Sequence, residues 1–298
     1  MTDSIACRLC DGRALPTLRD RPDREYGVPV RLDYWRCTGC GLVFADPIPS
    51  ALVPSFYAAY STHERADGAS RNKLWRLIDA ITPALDRTGS FAELKVPKTA
   101  RILDFGCGDG VFLDHLSRDG YTNLAGCDFD PKVAATALPG LRFFAGIGQL
   151  ADETFDVITL NHVLEHVEDV TATLKRLRSH LKPGGFVYIR TPNAGSVLST
   201  VFRGNWRGWE TPRHLNVLTP EAMRRAVERA DGELAMLATS NDMRAGILMG
   251  SANIALRRLP GKVRGYISAA IYAPSAWLLT ATRVAAPLAG EEIVAIVR

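Results

Sequence analysis

Apolar runs and glycine-containing turns alternate along the second half of the chain. The apolar run Ile102–Phe105 ends in the glycine turn Gly106–Gly110, which opens directly onto the segment Val111–Leu116. This pattern predicts a buried strand, a nucleotide-binding turn and a helix whose unpaired N–H groups face the turn. The glycines permit positive φ and close approach of a ligand, although glycines at such a turn can also serve a purely steric role.

Further predicted strands follow in the order expected of an α/β protein. They lie at residues 124–127, 143–144, 155–160, 186–190, 233–240 and 292–297. Helices are predicted from His162 to Leu181, ending at a Lys-Pro-Gly-Gly break, and from Thr219 to Ala230, with proline at the first turn. Asp128 ends a strand about twenty residues past the glycines, where a carboxylate can accept hydrogen bonds from ribose hydroxyls.

Four motifs in this order resemble the class I S-adenosylmethionine-dependent methyltransferases. They are Leu-Asp-Phe-Gly-Cys-Gly-Asp-Gly, Gly-Cys-Asp-Phe-Asp-Pro, Phe-Asp-Val-Ile-Thr-Leu-Asn-His-Val-Leu-Glu-His-Val, and Leu-Lys-Pro-Gly-Gly with a following Thr-Pro-Asn. Within this class the chain is most similar to the branch containing the ubiquinone-biosynthesis O-methyltransferases and many natural-product and glycan-modifying enzymes. The resemblance covers about residues 96–298. It implies an α/β fold with a Rossmann-like, seven-stranded, mostly parallel sheet and an antiparallel last strand.

The resemblance also implies where S-adenosylmethionine binds. The glycine turn is expected at the methionine part, Asp128 at the ribose and Phe129 at the adenine. Many relatives have an acid after the third strand, whereas this chain has Ile147 or its neighbours there, so the adenine contact is expected to be apolar or through the backbone. The expected cofactor-binding residues are Asp104, Gly106, Cys107, Gly108, Asp128, Phe129, Ile147, Asn161 and His162.

Methyl transfer requires alignment of the acceptor and, for some acceptors, a base. In relatives a histidine before a late helix borders the substrate pocket, and His214 matches it; anchoring of its loop is the alternative role. His166 and Tyr60 are further candidates for substrate contact, with loop positioning and packing as their respective alternatives. Trp206 and Trp209 are expected either to form apolar walls for the acceptor or to pack in the core.

The segment from His162 to His166 also matches the His-x-x-Glu-His signature of the inverted zinc proteases, because histidines four apart on a helix can share a metal ion. However, these residues directly follow a strand of the methyltransferase pattern, and no third ligand is evident at a fitting place. We therefore expect Glu165 and His166 to orient the loop over the cofactor.

Four cysteines near the amino terminus form a second pattern. Two Cys-x-x-Cys pairs, separated by twenty-six residues, suit a tetrahedral structural zinc site with no open position. Two disulfides are the alternative in a secreted protein. Cys107 and Cys127 are left over and are expected to be ordinary small buried residues. The predicted zinc ligands are Cys7, Cys10, Cys37 and Cys40.

Charge limits the partners of this cysteine-rich segment. Residues 1–60 hold seven arginines and seven acids, whereas a phosphate-binding module should be clearly basic. A structural or substrate-covering cap is therefore favoured over a nucleic-acid-binding module. The first ten residues include Asp3, Arg8 and two cysteines, which predicts no signal peptide and a cytoplasmic, reducing location.

The segment 243–290 holds six basic residues, no acid and several apolar runs. Its uncharged stretch 265–282 has the length of a membrane span, but a single crossing would separate the last strand from its sheet. The pattern instead predicts two amphipathic helices. They could roof the active site, form a homodimer interface or make peripheral contact with an anionic membrane.

The sequence thus predicts three parts. They are a zinc-ribbon-like module at 1–50, a linker with cap helices at 51–95, and a methyltransferase domain at 96–298 with a helical insert at about 243–290. The expected function is methyl transfer from S-adenosylmethionine to oxygen, nitrogen or carbon of a small molecule, such as a specialised metabolite or a quinone, lipid or glycan precursor. A tRNA or rRNA methyltransferase and a non-catalytic cofactor-binding protein are the alternatives.

Overall fold

The larger of two sheets carries the predicted α/β core. The structure, a computed structural model, describes residues 4–25, 27–57, 91–129, 141–268, 270–271 and 286–298. Within these ranges the strands are β1 (Ile5–Ala6), β2 (Arg13–Pro22), β3 (Arg31–Cys37), β4 (Val43–Ala45), β5 (Arg101–Phe105), β6 (Asn123–Cys127), β7 (Arg142–Phe144), β8 (Phe155–Asn161), β9 (Leu181–Pro192), β10 (Asn216–Val217), β11 (Leu234–Ser240) and β12 (Glu292–Val297). The α-helices are α1 (Val111–Arg118), α2 (Val170–Arg178), α3 (Val197–Phe202), α4 (Pro220–Arg229) and α5 (Arg244–Ala255).

Seven strands form the larger sheet in the order β11-β12-β9-β8-β5-β6-β7. The pairs β5–β6, β5–β8, β6–β7 and β8–β9 are parallel, whereas β12 is antiparallel to both β9 and β11. The predicted Rossmann-like fold with an antiparallel last strand is therefore confirmed. The sequence order reverses on either side of β5, and such a switch point is where ligands bind in open α/β sheets.

The centre of the sheet is buried on both faces, which explains its continuous apolar runs. On β5, neighbouring side chains point to opposite faces. Ile102 packs in a cluster with Phe91 and Tyr188, whereas Leu103 packs with Ile158 and Leu174 on the other side. Apolar residues are thus required at successive positions of this strand.

The cysteine-rich segment forms most of the smaller sheet, whose order is β1-β2-β3-β4-β10. Its last strand, β10, comes from a much later part of the chain: Asn216 pairs with Phe44 and Val217 with Val43. A strand next to the predicted active-site histidine thus completes the sheet of the cysteine-rich segment.

The predicted helix from His162 to Leu181 is wrong at both ends. His162 has φ 56°, which a continuing right-handed helix does not allow, and α2 begins only after Asp169. The Asp169 carboxylate accepts a hydrogen bond from the Ala172 N–H group at 2.9 Å and so caps α2. At the other end β9 already begins at Leu181, so the Lys-Pro-Gly-Gly sequence lies inside a strand.

Several predicted features fall partly or wholly outside the described residues. At the start of the predicted linker with cap helices, the structure has a 3₁₀ helix over Ser50–Tyr57. Of the insert, α5 and a helical stretch at 261–268 are described, whereas residues 272–285 are not. Tyr60 and most of the predicted linker with cap helices, residues 58–90, also lie outside the described part. None of the helices in that part combines the length and apolar character that a membrane crossing requires.

Candidate active site

A cavity of about 810 Å³ opens at the carboxyl ends of β5, β6 and β8. This edge of a doubly wound sheet is the usual place for a nucleotide ligand. Its lining includes Phe105, Gly106, Gly108, Asp128, Phe129, Ile147, Asn161 and His162. On the opposite side it is lined by His166, Arg207, Gly208, Glu210, His214, Met243 and Ile247. The cavity thus joins the predicted cofactor residues to the predicted acceptor side.

Packing against the next loop explains the glycine that follows β5. Gly106 has φ 76°, and a Cβ atom there would lie 2.4 Å from Cγ2 of Val163. Any side chain would therefore displace the Val163 loop as well as strain the backbone. Cys107 next to it is buried against Leu113 and does not line the cavity, unlike the prediction for it.

Asp104 lies beneath the cavity and does not line it. Its Oδ1 atom accepts hydrogen bonds from Thr159 Oγ1 at 2.6 Å and from Asn161 Nδ2 at 3.3 Å. Burial raises the pKa of Asp104 to about 7, although these two hydrogen bonds oppose the shift. Asp104 thus orients Asn161, which does reach the cavity.

Asp128 ties the glycine turn to the neighbouring strand. Its Oδ2 atom accepts a hydrogen bond from the Gly108 N–H group at 3.0 Å. Phe129, which follows it, is 59% exposed and presents its ring to the cavity. An apolar ring next to a carboxylate suits a nucleoside, whose base can stack while its ribose hydroxyls donate.

His162 is held between two carboxylates. Its Nε2 atom lies 2.6 Å from Glu292 Oε1, and its Nδ1 atom lies 3.3 Å from Glu165 Oε1. Desolvation alone would lower the pKa of His162, but its contacts with Glu165 and Glu292 outweigh it and raise the pKa to about 10. His162 is therefore a cation at neutral pH. Arg190, whose Nη2 atom lies 2.5 Å from Glu292 Oε2, adds a second cation to this network.

His214 and His166 lie edge to face, with ring centroids 4.8 Å apart. Because the Gly208 carbonyl can only accept, His214 Nδ1 carries the hydrogen and donates to it at 2.8 Å. Burial lowers the pKa of His214 to about 4, although Glu210 opposes the shift. His214 is thus neutral at physiological pH, with Nε2 unprotonated and 3.7 Å from Glu210 Oε2.

The His-x-x-Glu-His sequence does not form the metal site of the inverted zinc proteases. His162 faces Glu165 and Glu292, whereas His166 Nδ1 lies 3.0 Å from the Arg213 carbonyl oxygen. The left-handed backbone of His162 removes the helical spacing that the shared site would require. The polar side chains of Glu165, His166 and His214 instead come within 4.8 Å of one another.

The two tryptophans are packing residues. Trp206 and Trp209 are buried, with ring centroids 5.0 Å apart, and neither lines the cavity. Arg207, Gly208 and Glu210 of the same segment reach the cavity in their place. The expectation that the tryptophans form apolar walls for the acceptor is therefore not met.

Two acids of the site, Glu210 and Glu292, were not predicted from the sequence. Glu210 lies four residues before His214, and Glu292 begins an otherwise apolar final strand. An acid at the start of a buried strand is an indication that a cation faces it, since unpaired buried charges are rare. That pattern alone could have pointed to Glu292, although not to its partner.

The four amino-terminal cysteines meet in one cluster. The Sγ atoms are 3.7 Å apart for Cys7 and Cys40 and 3.4 Å apart for Cys10 and Cys37, and no disulfide joins them. Backbone N–H groups of Leu9 and Gly39 donate to Cys7 Sγ and Cys37 Sγ. N–H donors of this kind stabilise thiolates, and four thiolates fit the coordination of a tetrahedral metal ion.

This cluster adjoins the methyltransferase part of the chain. Thr219 Oγ1, the cap of α4, donates to the Cys40 carbonyl at 2.6 Å. Arg229 at the other end of α4 donates to the Arg8 carbonyl oxygen and to Asp11. Residues at both ends of α4 therefore bind the segments that carry the two Cys-x-x-Cys pairs.

Comparisons with known proteins identify relatives of similar sequence. A ubiquinone biosynthesis O-methyltransferase of Xanthomonas oryzae pv. oryzae is 32% identical over 127 residues, covering 39% of this chain and 48% of that protein. One from Paracidovorax citrulli is 32% identical over 131 residues, covering 40% and 54%. The chain thus spans about half the length of these curated relatives.

Among solved structures, a SAM-dependent methyltransferase from Archaeoglobus fulgidus has a TM-score of 0.45 and 19% identity, covering 76% of this chain and 99% of that one. The family described as "Methyltransferase domain" matches residues 72–235. Because this match covers more than half of the chain, the protein belongs to the methyltransferase-domain family.

Proposed function

We propose that the protein is an S-adenosylmethionine-dependent methyltransferase that acts on a small-molecule acceptor. The observation that carries the proposal is the composition of the cavity. One side holds the glycine turn and Asp128, and the other holds His166, Glu210 and His214. A single cavity can therefore bring a nucleoside cofactor and an acceptor into contact.

The residues present suit the cofactor. The volume of the active-site cavity, about 810 Å³, is within the range of ligand cavities, about 300–1,000 Å³. When bound, S-adenosylmethionine supplies an electrophilic methyl group on a sulfonium. Asp128 and Phe129 would hold its nucleoside, while Gly106 and Gly108 let the main chain approach its amino-acid part.

On the acceptor side, His214 is placed to hold a proton. Its unprotonated Nε2 atom can accept the proton of an acceptor O–H or N–H group, and the resulting cation would face Glu210 and Glu165. Transfer then requires only that the acceptor lone pair point at the methyl carbon. Oxygen acceptors are the first to test, because the relatives named above are O-methyltransferases; nitrogen and carbon acceptors remain within the proposal.

The charges of the cavity favour this proposal over RNA methylation. Among the described residues, its lining includes the carboxylates of Asp109, Asp128, Glu165 and Glu210 but only two cations, Arg207 and His162. A site for a phosphodiester chain would present several cations. A neutral or cationic small acceptor fits this balance better.

We further propose that Cys7, Cys10, Cys37 and Cys40 hold one structural zinc ion. All four tetrahedral positions would be filled by thiolates, so the metal would stabilise the fold and take no part in the transfer. A cytoplasmic location, homodimerisation and peripheral membrane contact through the insert 243–290 stay predictions from the sequence.

Titration calorimetry with the full chain tests the core of the proposal. S-adenosylmethionine should bind, and radioactivity from its labelled methyl group should reach small molecules of a cell extract rather than RNA. His214→Ala should bind the cofactor as wild type does and lower turnover about 10²-fold or more. The exposed His115→Ala is the matched control and should leave both unchanged. A wild-type protein that binds no cofactor would refute the proposal.

A further inference from the structure

A second cavity, of about 650 Å³, is rich in arginine and lies apart from the one described above. It lies along β2 and the turn that follows, against the Gly204 segment and the residues after α5. Five arginines and two aspartates line it: Arg19, Arg21, Arg24, Arg31, Arg257, Asp20 and Asp23. It shares no lining residue with the active-site cavity. We call it the arginine cavity.

Two of its five arginines have carboxylate partners. Arg19 Nη1 lies 2.8 Å from Asp33 Oδ2, and Arg31 Nε lies 2.5 Å from Asp20 Oδ1. The remaining aspartate, Asp23, is also engaged. It accepts hydrogen bonds from the N–H groups of Glu25 and Val28.

The other three, Arg21, Arg24 and Arg257, have no carboxylate partner among the described residues. Arg24 donates to the Gly204 carbonyl and, at 2.6 Å, to Asn205 Oδ1, whereas Arg257 donates to the carbonyl oxygen of Ile254. All of these acceptors are neutral. Arg21 is only 6% exposed, and its Nε atom is buried without a hydrogen-bond partner.

Three neighbouring cations without a counter-charge are unfavourable. Burial, together with the charges of Arg24 and Arg257, lowers the pKa of Arg21 to about 10. Native proteins rarely leave a buried cation without a partner, since its desolvation costs several kcal/mol. The cavity therefore has the composition of a binding site for an anion.

We propose that the arginine cavity binds the phosphate group of a phosphorylated small molecule. Guanidinium groups present forked donors that match phosphate oxygens in pairs, which favours phosphate over a single carboxylate when several arginines converge. The nearby Asp20 and Asp23 oppose a longer polyanion such as RNA. A compact mono- or diphosphate group is the ligand that this charge balance favours.

The site is distinct from the place of methyl transfer but close to it. A small gap is lined by Arg21, Arg24, Trp206 and Glu210. It shares the two arginines with the arginine cavity and Glu210 with the active-site cavity. The inference concerns binding alone, so it does not depend on the proposed activity.

Calorimetry with inorganic pyrophosphate and the full chain tests it. Wild type should bind pyrophosphate, and Arg257→Gln should weaken that affinity about tenfold, as expected for loss of a charge-assisted contact. Arg257 is exposed, so this variant should fold; Arg21→Gln should weaken binding at least as much. The control is Arg118→Gln, which removes an exposed arginine paired with Asp114 and should bind as wild type does.

Three results would overturn the inference. They are no pyrophosphate binding by wild type, unchanged affinity in Arg257→Gln, and tighter binding of a single-stranded RNA oligonucleotide that is lost in the same variant. S-adenosylmethionine affinity, measured in the same samples, should be equal in all variants. Failure of wild type to bind S-adenosylmethionine would refute the proposed function and would leave the proposed phosphate site unaffected.

Discussion

The phenolic hydroxyl group of Tyr34 donates a hydrogen bond to the main-chain carbonyl of His214 at 3.0 Å. Tyr34 belongs to β3 of the cysteine-rich segment and is fully buried. Two residues after His214, β10 pairs with β4 of the same segment. The segment that carries the four cysteines therefore fixes the main chain of the proposed base.

Tyr34→Phe should lower both stability and turnover. Removal of the hydroxyl leaves the buried carbonyl of His214 without this partner, which should reduce the free energy of unfolding by about 1–3 kcal/mol. The maximal rate should fall while cofactor affinity stays constant, since the cofactor residues lie on other strands. Urea unfolding and steady-state kinetics measure the two effects.

Tyr121→Phe is the matched control for that substitution. Tyr121 is also buried and donates to a main-chain carbonyl, that of Val96, at 3.4 Å and away from the cavity. Tyr121→Phe should lower the free energy of unfolding without a comparable loss of the maximal rate. Equal losses of rate in the two variants would show that Tyr34 acts only through stability.

Asp128→Ala should weaken binding of S-adenosylmethionine by about 1–3 kcal/mol, because charge-assisted hydrogen bonds to the ribose would be lost along with the contact to Gly108. Titration calorimetry gives the affinity directly. Asp114→Ala, on the outer side of the helix that follows the glycine turn, should bind as wild type does. Unchanged affinity in the Asp128 variant would place the ribose elsewhere.

The charge of His162 should make the stability of the folded protein fall as the pH becomes alkaline. Its pKa is about 10 in the folded protein and about 6.5 when unfolded, so the folded state binds the proton more tightly. The stabilisation is complete below pH 6.5 and is lost as pH rises through 10. Asn tolerates the left-handed backbone at this position.

Urea midpoints of wild type and His162→Asn, measured between pH 6 and pH 10, test this dependence. The difference between the two proteins should be largest near pH 6 and should shrink towards pH 10, while titration of other groups cancels in the comparison. A constant difference over this range would mean that His162 is not the cation of the network.

Purified protein should contain one zinc ion per chain, and Cys37→Ser should abolish it. A ligand present at a thousand times its Kd stabilises the folded state by about 4 kcal/mol, so a strong chelator should lower the unfolding midpoint clearly. Elemental analysis and thermal melts measure these changes. Cys127→Ala, a buried cysteine outside the cluster, should retain the metal.

The fold was largely predictable because each strand of the larger sheet contains a cluster of apolar residues. Ile102 and Leu103 show why, since they are buried on opposite faces of one strand. The conformation of the first turn after β8, at His162, could not be predicted from a pattern of apolar residues. A histidine in a left-handed conformation has no local signature, and it is stabilised by Glu292, a residue 130 positions away.

The site was predictable where a motif fixes the backbone and unpredictable where tertiary contacts select the side chain. The turn at Gly106 and Gly108 lines the cavity as the motif implies, whereas Cys107 between them points into the core. Trp206 and Trp209 have the size of acceptor walls, but the space between α3, α5 and their own loop buries them. The spacing of residues in the sequence does not indicate whether these tryptophans line the cavity or pack in the core.

The strand pair β4–β10 has a consequence for synthesis. During translation the cysteine-rich segment leaves the ribosome before residues 216 and 217, and Val43 and Phe44 form an open sheet edge until those residues are made. An uncovered edge strand invites pairing with other chains. Early metal capture by the cysteines would hold this edge in a fixed conformation during that interval, and nascent chains deprived of zinc should accumulate as aggregates rather than as inactive monomers.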